Sequence, residues 1–279
     1  MRRLALAALL LASCSRGTPD AGPSAQGLPS LPPATRAPVV PSRTAAAHWW
    51  RPKTGVSWQW QLSGPLDLTV DAQVYDVDLF TTTAAQVREL HSAGRRAVCY
   101  LDAGSWEPGR PDSSAFAPAA LGTPLAGFPD ERWLHIRRGD VFRVLAHRTD
   151  LCRTKGFDAV EFDNVDGYAN STGFPLTAAD QLRFNRALAT MAHERGLAAA
   201  LKNDLEQVTA LATVFDFSVD EQCARHHECA QLTPFVAAGK PVLHVEYDLA
   251  PALFCPVTRP LDFSSLAKNL SLDSARVSC

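Results

Sequence analysis

Gly156-Phe157-Asp158-Ala159-Val160-Glu161-Phe162-Asp163-Asn164 opens on a glycine, runs through a short apolar stretch and ends on polar residues. A glycine behind a helical pattern supplies the left-handed backbone that closes a helix, and an apolar run directly after it reads as a buried strand. The helical pattern over 140–155 precedes this glycine. The same helix, glycine, strand order recurs around Gly94, Gly196 and Gly239, which follow helical patterns at 83–93, 177–195 and 231–238. The strands that follow these three are read at 97–101, 197–201 and 242–245, with further strand-like runs at 56–61, 73–77 and 214–219 and a helix at 205–212. Strands alternating with helices predict a parallel sheet. Seven or eight such units predict a single-domain α/β fold, a closed TIM-like (β/α)8 barrel over 47–279. No Gly-x-Gly-x-x-Gly or Gly-x-x-x-x-Gly-Lys stretch occurs, which removes the dinucleotide and P-loop readings.

Ahead of the barrel, Met1-Arg2-Arg3 and a short apolar run read as a signal peptide, too brief to span a bilayer. The run ends in Leu11-Ala12-Ser13-Cys14, which resembles a bacterial lipobox, so residues 1–14 are expected to be a lipoprotein signal with Cys14 as the lipidation site. Residues 15–46 are Pro-, Ala- and Ser-rich and predict a disordered tether, because they hold too little apolar surface to offset the entropy of ordering. The expected location is the cell envelope or extracellular space, on a membrane through an N-terminal lipid. The formal net charge of -2 and the lack of any basic stripe exclude a nucleic-acid partner. A monomer acting on a neutral or sugar-like ligand suits that balance. Beyond Cys14 six cysteines remain, an even number that in an exported chain predicts disulfides. Pairing Cys223 with Cys229, Cys255 with Cys279 and Cys99 with Cys152 is one of fifteen possibilities.

Barrel enzymes carry their chemistry at the C-terminal ends of the strands, and the polar residues of this chain fall there. They are Asp76 and Asp78; Tyr100, Asp102 and Trp106; Asp163, Asn164 and Asp166; Lys202 and Asn203; Glu221 and Gln222; Glu246 and Tyr247. Any one of these commonly caps the next helix. So many carboxylates on one rim are electrostatically costly unless a ligand uses them. The strand ends lack histidines apart from His244, which weighs against a metal hydrolase, and no metal or cofactor is expected. Trp58, Trp60 and Trp106 supply flat apolar faces for a sugar ring. The cluster Cys223-Ala224-Arg225-His226-His227-Glu228-Cys229 crowds too many metal ligands into one loop for the usual zinc spacings, and a disulfide is the simpler reading.

Glu161-Phe162-Asp163-Asn164-Val165-Asp166-Gly167-Tyr168, Asp180-Gln181-x-x-Phe184-Asn185, Leu201-Lys202-Asn203, Asp220-Glu221-Gln222-Cys223 and Gly239-Lys240-Pro241-x-x-x-x-Glu246-Tyr247 resemble glycoside hydrolase family 114, the endo-α-1,4-polygalactosaminidases. The resemblance runs from about Trp49 to the C-terminus and implies a metal-free (β/α)8 barrel that cleaves α-1,4-linked galactosamine polymers. It implies Asp163 and Glu221 as the catalytic carboxylates. Expected substrate-binding residues are Trp58, Asp76, Asp78, Tyr100, Asp102, Trp106, Asn164, Asp166, Lys202, Asn203, Gln222, Glu246 and Tyr247, with Asp76, Asp102, Asp166 and Glu246 pairing with sugar ammonium groups. Two departures stand out: Phe162 where the family often has proline, and Asp220 beside Glu221. Asp163 is expected to act as nucleophile and Glu221 as acid/base in a retaining reaction. The rival readings are a non-catalytic polysaccharide-binding lipoprotein and a metal-dependent deacetylase.

Overall fold

The computed structural model describes residues 48–279. The signal peptide at 1–14, Cys14 and the tether at 15–46 lie outside the described residues. In chain order the strands are β1 (Trp58–Gln61), β2 (Val74–Asp78), β3 (Arg96–Asp102), β4 (Ser105–Trp106), β5 (Leu121–Leu125), β6 (Phe128–Leu134), β7 (Ala159–Asp163), β8 (Ala198–Lys202), β9 (Phe217–Glu221), β10 (Val242–Glu246), β11 (Ser264–Ala267) and β12 (Val277–Ser278). The helices are α1 (Ala84–Ser92), α2 (Gly139–Lys155), α3 (Ala178–Glu194), α4 (Val208–Leu211), α5 (Thr233–Ala237) and α6 (Pro251–Thr258).

The main sheet runs β1-β2-β3-β7-β8-β9-β10-β11-β12. Its first eight strands are parallel, and β12 is antiparallel to β11. The ring is drawn together between β11 and β1 by side chains. Trp58 Nε1 donates to Ser264 O at 2.8 Å, Gln59 Nε2 to Ser274 O at 2.8 Å and Arg276 to Trp58 O at 2.5 Å. The fold is a TIM-like α/β barrel in one domain. No helix of the described residues is long and apolar enough to cross a membrane.

Side chains alternate between two cores because successive strand residues point to opposite faces. Trp58, Trp60, Val74, Val98, Ala159, Ala198, Ala200, Phe217, Val219, Leu243, Val245 and Leu266 fill the barrel interior. The large rings on β1 meet alanines on β7 and β8, halfway round the ring, so large and small side chains fit across the interior. The opposite parity, Val160 and Phe162 on β7 and Ala199 and Leu201 on β8, packs against the helices. Thr83 and Thr177 each close a capping box at the start of α1 and α3. Gly94, Gly156, Gly196 and Gly239 all take positive φ at the helix ends, as their spacing predicts.

The helices expected at 205–212 and 231–238 are each a short 3-10 turn followed by about one α-turn, α4 and α5. Three elements carry weak sequence signals. β11 reads Ser-Ser-Leu-Ala, α6 contains Pro256, and the antiparallel sheet β4-β6-β5 has prolines in both long strands. That small sheet, inserted after β3, supplies one wall of the barrel mouth.

The disulfides are Cys99–Cys152, Cys223–Cys229 and Cys255–Cys279. Their contributions should rank with the loop each closes. Loss of Cys99–Cys152, which spans 53 residues, is expected to cost about 4 kcal/mol of stability, against about 2 kcal/mol for Cys223–Cys229, which spans 6. Urea unfolding of the paired Cys→Ala variants measures both; equal losses would show that chain entropy does not govern the ranking.

Candidate active site

Asp163 ends β7, Lys202 ends β8 and Glu221 ends β9, all on the parity that faces the barrel interior. Each strand then turns through a non-glycine residue with left-handed backbone: Asn164 (φ 57°), Asn203 (φ 47°) and Gln222 (φ 61°). Backbone of this kind is costly for L-residues, and its recurrence at three neighbouring strand exits marks the place where the fold stores strain. Asparagine bears the conformation best, and Asn203 also fixes Glu221, whose backbone N–H donates to Asn203 Oδ1 at 3.0 Å. Gly104 lets the β3 exit lie against the β7 exit, since a Cβ there would meet Asn164 O at 1.6 Å.

One ammonium joins the two carboxylates. Lys202 Nζ lies 3.0 Å from Asp163 Oδ1 and 2.5 Å from Glu221 Oε2, so those two oxygens are at most about 5.5 Å apart. Tyr100 OH donates to Asp163 Oδ2 at 2.7 Å, and the Asn164 N–H to Asp163 Oδ1 at 2.8 Å. Tyr247 OH donates to Glu221 Oε1, and Asn203 Nδ2 to Glu221 Oε2 at 3.3 Å. Lys202 stands 5.3 Å from the centre of the Trp60 ring. Burial by itself would push the Asp163 carboxyl up, but Lys202 and the donors from Tyr100 and Asn164 outweigh it and hold it below the usual carboxylate range. Burial would lower Lys202, but Asp163, Glu221 and Glu161 outweigh it and keep it charged far into the alkaline range. The phenols of Tyr100 and Tyr247 are pushed up by burial and then by the carboxylate that each touches, so both remain donors.

The cleft above this trio is a cavity of about 730 Å³. It is lined by Tyr100, Asp163, Asn164, Asp166, Lys202, Asn203, Glu221, Gln222 and Tyr247 among the residues expected from sequence. Six others expected there do not line it. Trp58 sits one layer deeper than Trp60 on β1 and is sealed in the interior. Asp76 faces inward on β2 but is likewise sealed. Asp78 holds Arg110 at 2.7 Å and caps the turn at Phe80 and Thr81. Asp102 accepts from Ser105 N at 2.6 Å and from Asn164 Nδ2 at 2.7 Å, so it orients the β7 exit from behind. Trp106 donates to Ser113 O and packs against the outer core. Glu246 has the opposite parity to Tyr247 and faces the helical shell, where it accepts from Ala224 N and Arg225 N and lies 3.0 Å from His244 Nε2.

Phe162 points into the outer core, away from the cleft. Asp220 also takes the outer parity, in register with His244, so it is not a second anion beside Glu221 in the cleft; burial pushes its carboxyl well up. Cys223, Cys229 and His244 converge closely enough to suggest a metal, but both sulfurs are tied in a disulfide. The Asp180-Gln181-x-x-Phe184-Asn185 segment acts on the rim from the helical layer. Asn185 Nδ2 donates to Val165 O at 2.9 Å and to Asp204 Oδ2 at 2.8 Å, which ties the β7 exit to the β8 exit.

Sequence reading missed the wall contributed by the inserted sheet, which brings Phe128, Glu131 and Trp133, with Arg110 from the loop between β4 and β5, where Glu107, read from sequence as part of the β3 exit, joins it. The usable signal was Ala126-Gly127, whose glycine turns the β5–β6 hairpin at φ 83°. A second depression of about 650 Å³ opens at the other end of the barrel, between His48–Arg51 and the strand starts near Arg96, Asp158 and Gly196. Its aromatic Trp49 is covered by His193 at 4.0 Å and by Arg51 at 4.7 Å, and donates to Asp216, so it offers no open platform.

The family model of glycoside-hydrolase family GH114 matches residues 40–279. The crystal structure of Aspergillus fumigatus Ega3 in complex with galactosamine is similar at 37% identity and TM-score 0.80, covering 83% of this chain and 98% of that one. The glycoside hydrolase domain of PelA from Pseudomonas aeruginosa shares the fold, at 16% identity and TM-score 0.63, covering 81% of this chain and 99% of that domain. No curated protein sequence matches. A match over most of the barrel, with a solved relative that covers nearly its whole length, identifies the protein: the chain belongs to glycoside hydrolase family GH114.

Proposed function

We propose that the protein is an exported, lipid-anchored retaining glycosidase that cleaves α-1,4-linked galactosamine-containing polysaccharide. The observation that supports this reading is the single ammonium of Lys202 between Asp163 and Glu221, which keeps one oxygen of each carboxyl within about 5.5 Å of the other, short of the spacing of an inverting pair. The reaction uses Asp163 as the ionised carboxylate and Glu221 as the proton donor. Asp163 attacks the anomeric carbon while Glu221 gives its proton to the leaving glycosidic oxygen. A water then attacks the glycosyl ester, Glu221 takes the water's proton, and Asp163 leaves as carboxylate.

The substrate assignment is supported by the galactosamine bound to Ega3. It is also supported by the acidic side chains on the cleft wall, Asp166 and, on the inserted sheet, Glu131, while Glu107 there is paired with Arg110. The first two suit sugar ammonium groups. Export and anchoring rest on the residues around Cys14. His48–Arg51 lie at the end of the barrel opposite the cleft.

Incubation with galactosamine-rich exopolysaccharide is expected to release new reducing ends whose first-formed anomer is α, read by proton NMR. Binding without new reducing ends overturns the enzymatic reading. A first-formed β anomer overturns retention alone.

A further inference from the structure

One layer below the rim, the carboxyl groups of Asp76 on β2 and Glu161 on β7 lie within hydrogen-bonding reach of each other across β3. Both residues are 0% exposed, and among the described residues none of their four carboxyl oxygens receives a hydrogen bond from any other group. Two ionised, fully buried carboxylates in contact, without a protein donor between them, repel at low dielectric. A proton between them removes that repulsion and supplies the missing donor.

We propose that Asp76 and Glu161 share one proton and that their single remaining negative charge positions Lys202 from below, holding its ammonium between Asp163 and Glu221. The pair acts through Lys202 and does not touch substrate, and the inference rests on the function proposed above. The charged or titratable groups around the pair are Lys202 on β8 and Asp163 on β7, with Tyr100 on the intervening β3 and Glu221 beyond Lys202. Glu161 in turn counts, after Asp163 and Glu221, among the anions that hold Lys202 charged.

Burial pushes both carboxyls up, Asp76 to about 7 and Glu161 well above its usual range. Below that point both carboxyls keep their protons and the pair is neutral. As pH rises through it one proton leaves and one stays between the two carboxyls, so the single negative charge forms beneath Lys202 and turnover rises toward neutral pH. The stability contribution has the opposite sign. A folded pKa above the unfolded value favours the folded state in acid, and that advantage is lost as pH rises from about 4 to about 7.

Asp76→Asn replaces the shared proton by an amide donor and pins one charge on Glu161 at every pH. Carboxyl infrared difference spectra at about pH 8 are expected to show one protonated carboxyl fewer in Asp76→Asn, and likewise in Glu161→Gln, than in the unaltered protein. The acid limb of kcat should flatten in Asp76→Asn. The double variant, which removes the charge, should lose about tenfold or more in kcat with little change in KM. A protonated-carboxyl signal that persists in both single variants overturns the shared proton, and either one alone suffices for this comparison if the other does not fold. A kcat–pH curve for Asp76→Asn that overlays the unaltered enzyme's overturns the positioning role. The infrared arm needs no turnover, so its failure is distinct from failure of the glycosidase reading, which cleavage by the unaltered enzyme decides.

Discussion

Asp163→Asn is expected to lower kcat on galactosamine polymer by about 10³-fold or more, because an amide cannot form the glycosyl ester. Glu221→Gln is expected to cost about 10²–10⁴-fold on the same polymer. The two losses should differ in kind. A good leaving group departs without a proton, so an aryl galactosaminide should recover much of the Glu221→Gln rate and little of the Asp163→Asn rate. The physical basis is the asymmetry of the site. Asp163 is held ionised against its burial by Lys202, Tyr100 and the Asn164 N–H. If the aryl substrate instead rescued Asp163→Asn, the two roles would have to be exchanged.

Lys202→Met carries the second large effect, with its sign set by the same balance. Without the ammonium, burial dominates Asp163 and its carboxyl moves up, so the nucleophile is protonated in acid and the acid limb of kcat shifts to higher pH. A loss on the order of 10²-fold at acidic pH, shrinking as pH rises, is the expected profile. Stability changes sign with pH as well. In the unaltered protein Asp163 has a depressed pKa and contributes stability that is present above its unfolded value and lost as pH falls through its folded value. In Lys202→Met the raised carboxyl reverses this, and stability is lost as pH rises. Breaking the buried bridge is expected to cost about 3 kcal/mol at neutral pH, the lower end for such pairs because Asp163 and Glu221 keep contact with the cleft. Urea unfolding at acidic and neutral pH, beside kcat–pH curves, tests both; an unmoved acid limb would remove Lys202 from the control of Asp163.

The site was partly legible. Placing Asp163 and Lys202 at strand ends needed only the helix, glycine, strand order, since a strand that starts behind a known glycine has a known end, and Glu221 followed from the apolar run at 214–219. Rim position did not decide exposure to the cleft. Glu246 and Tyr247 are neighbours in sequence, yet one faces the shell and the other holds Glu221. Asp76 and Asp163 share the inward parity, yet one is sealed a layer below and the other lines the cleft. Trp58 and Trp60 separate in the same way. Depth inside a barrel depends on how neighbouring strands are staggered, and that register is set between strands, not within them.

The sequence by itself determined the parallel barrel. Glycine-capped helices followed by apolar strands are local features, and their repetition leaves few ways to bury the sheet. Sequence also marked the carboxylates, because residue type alone shows which groups can carry charge. Only the tertiary structure decided what those groups do. One ammonium reaches from β8 to carboxylates on β7 and β9, and two carboxyls that share no local sequence meet across β3. The inserted sheet, whose prolines hide its strands, turned out to wall the cleft. Each of these rests on distances between residues far apart in the chain, and a charge takes its character from such neighbours once water is excluded.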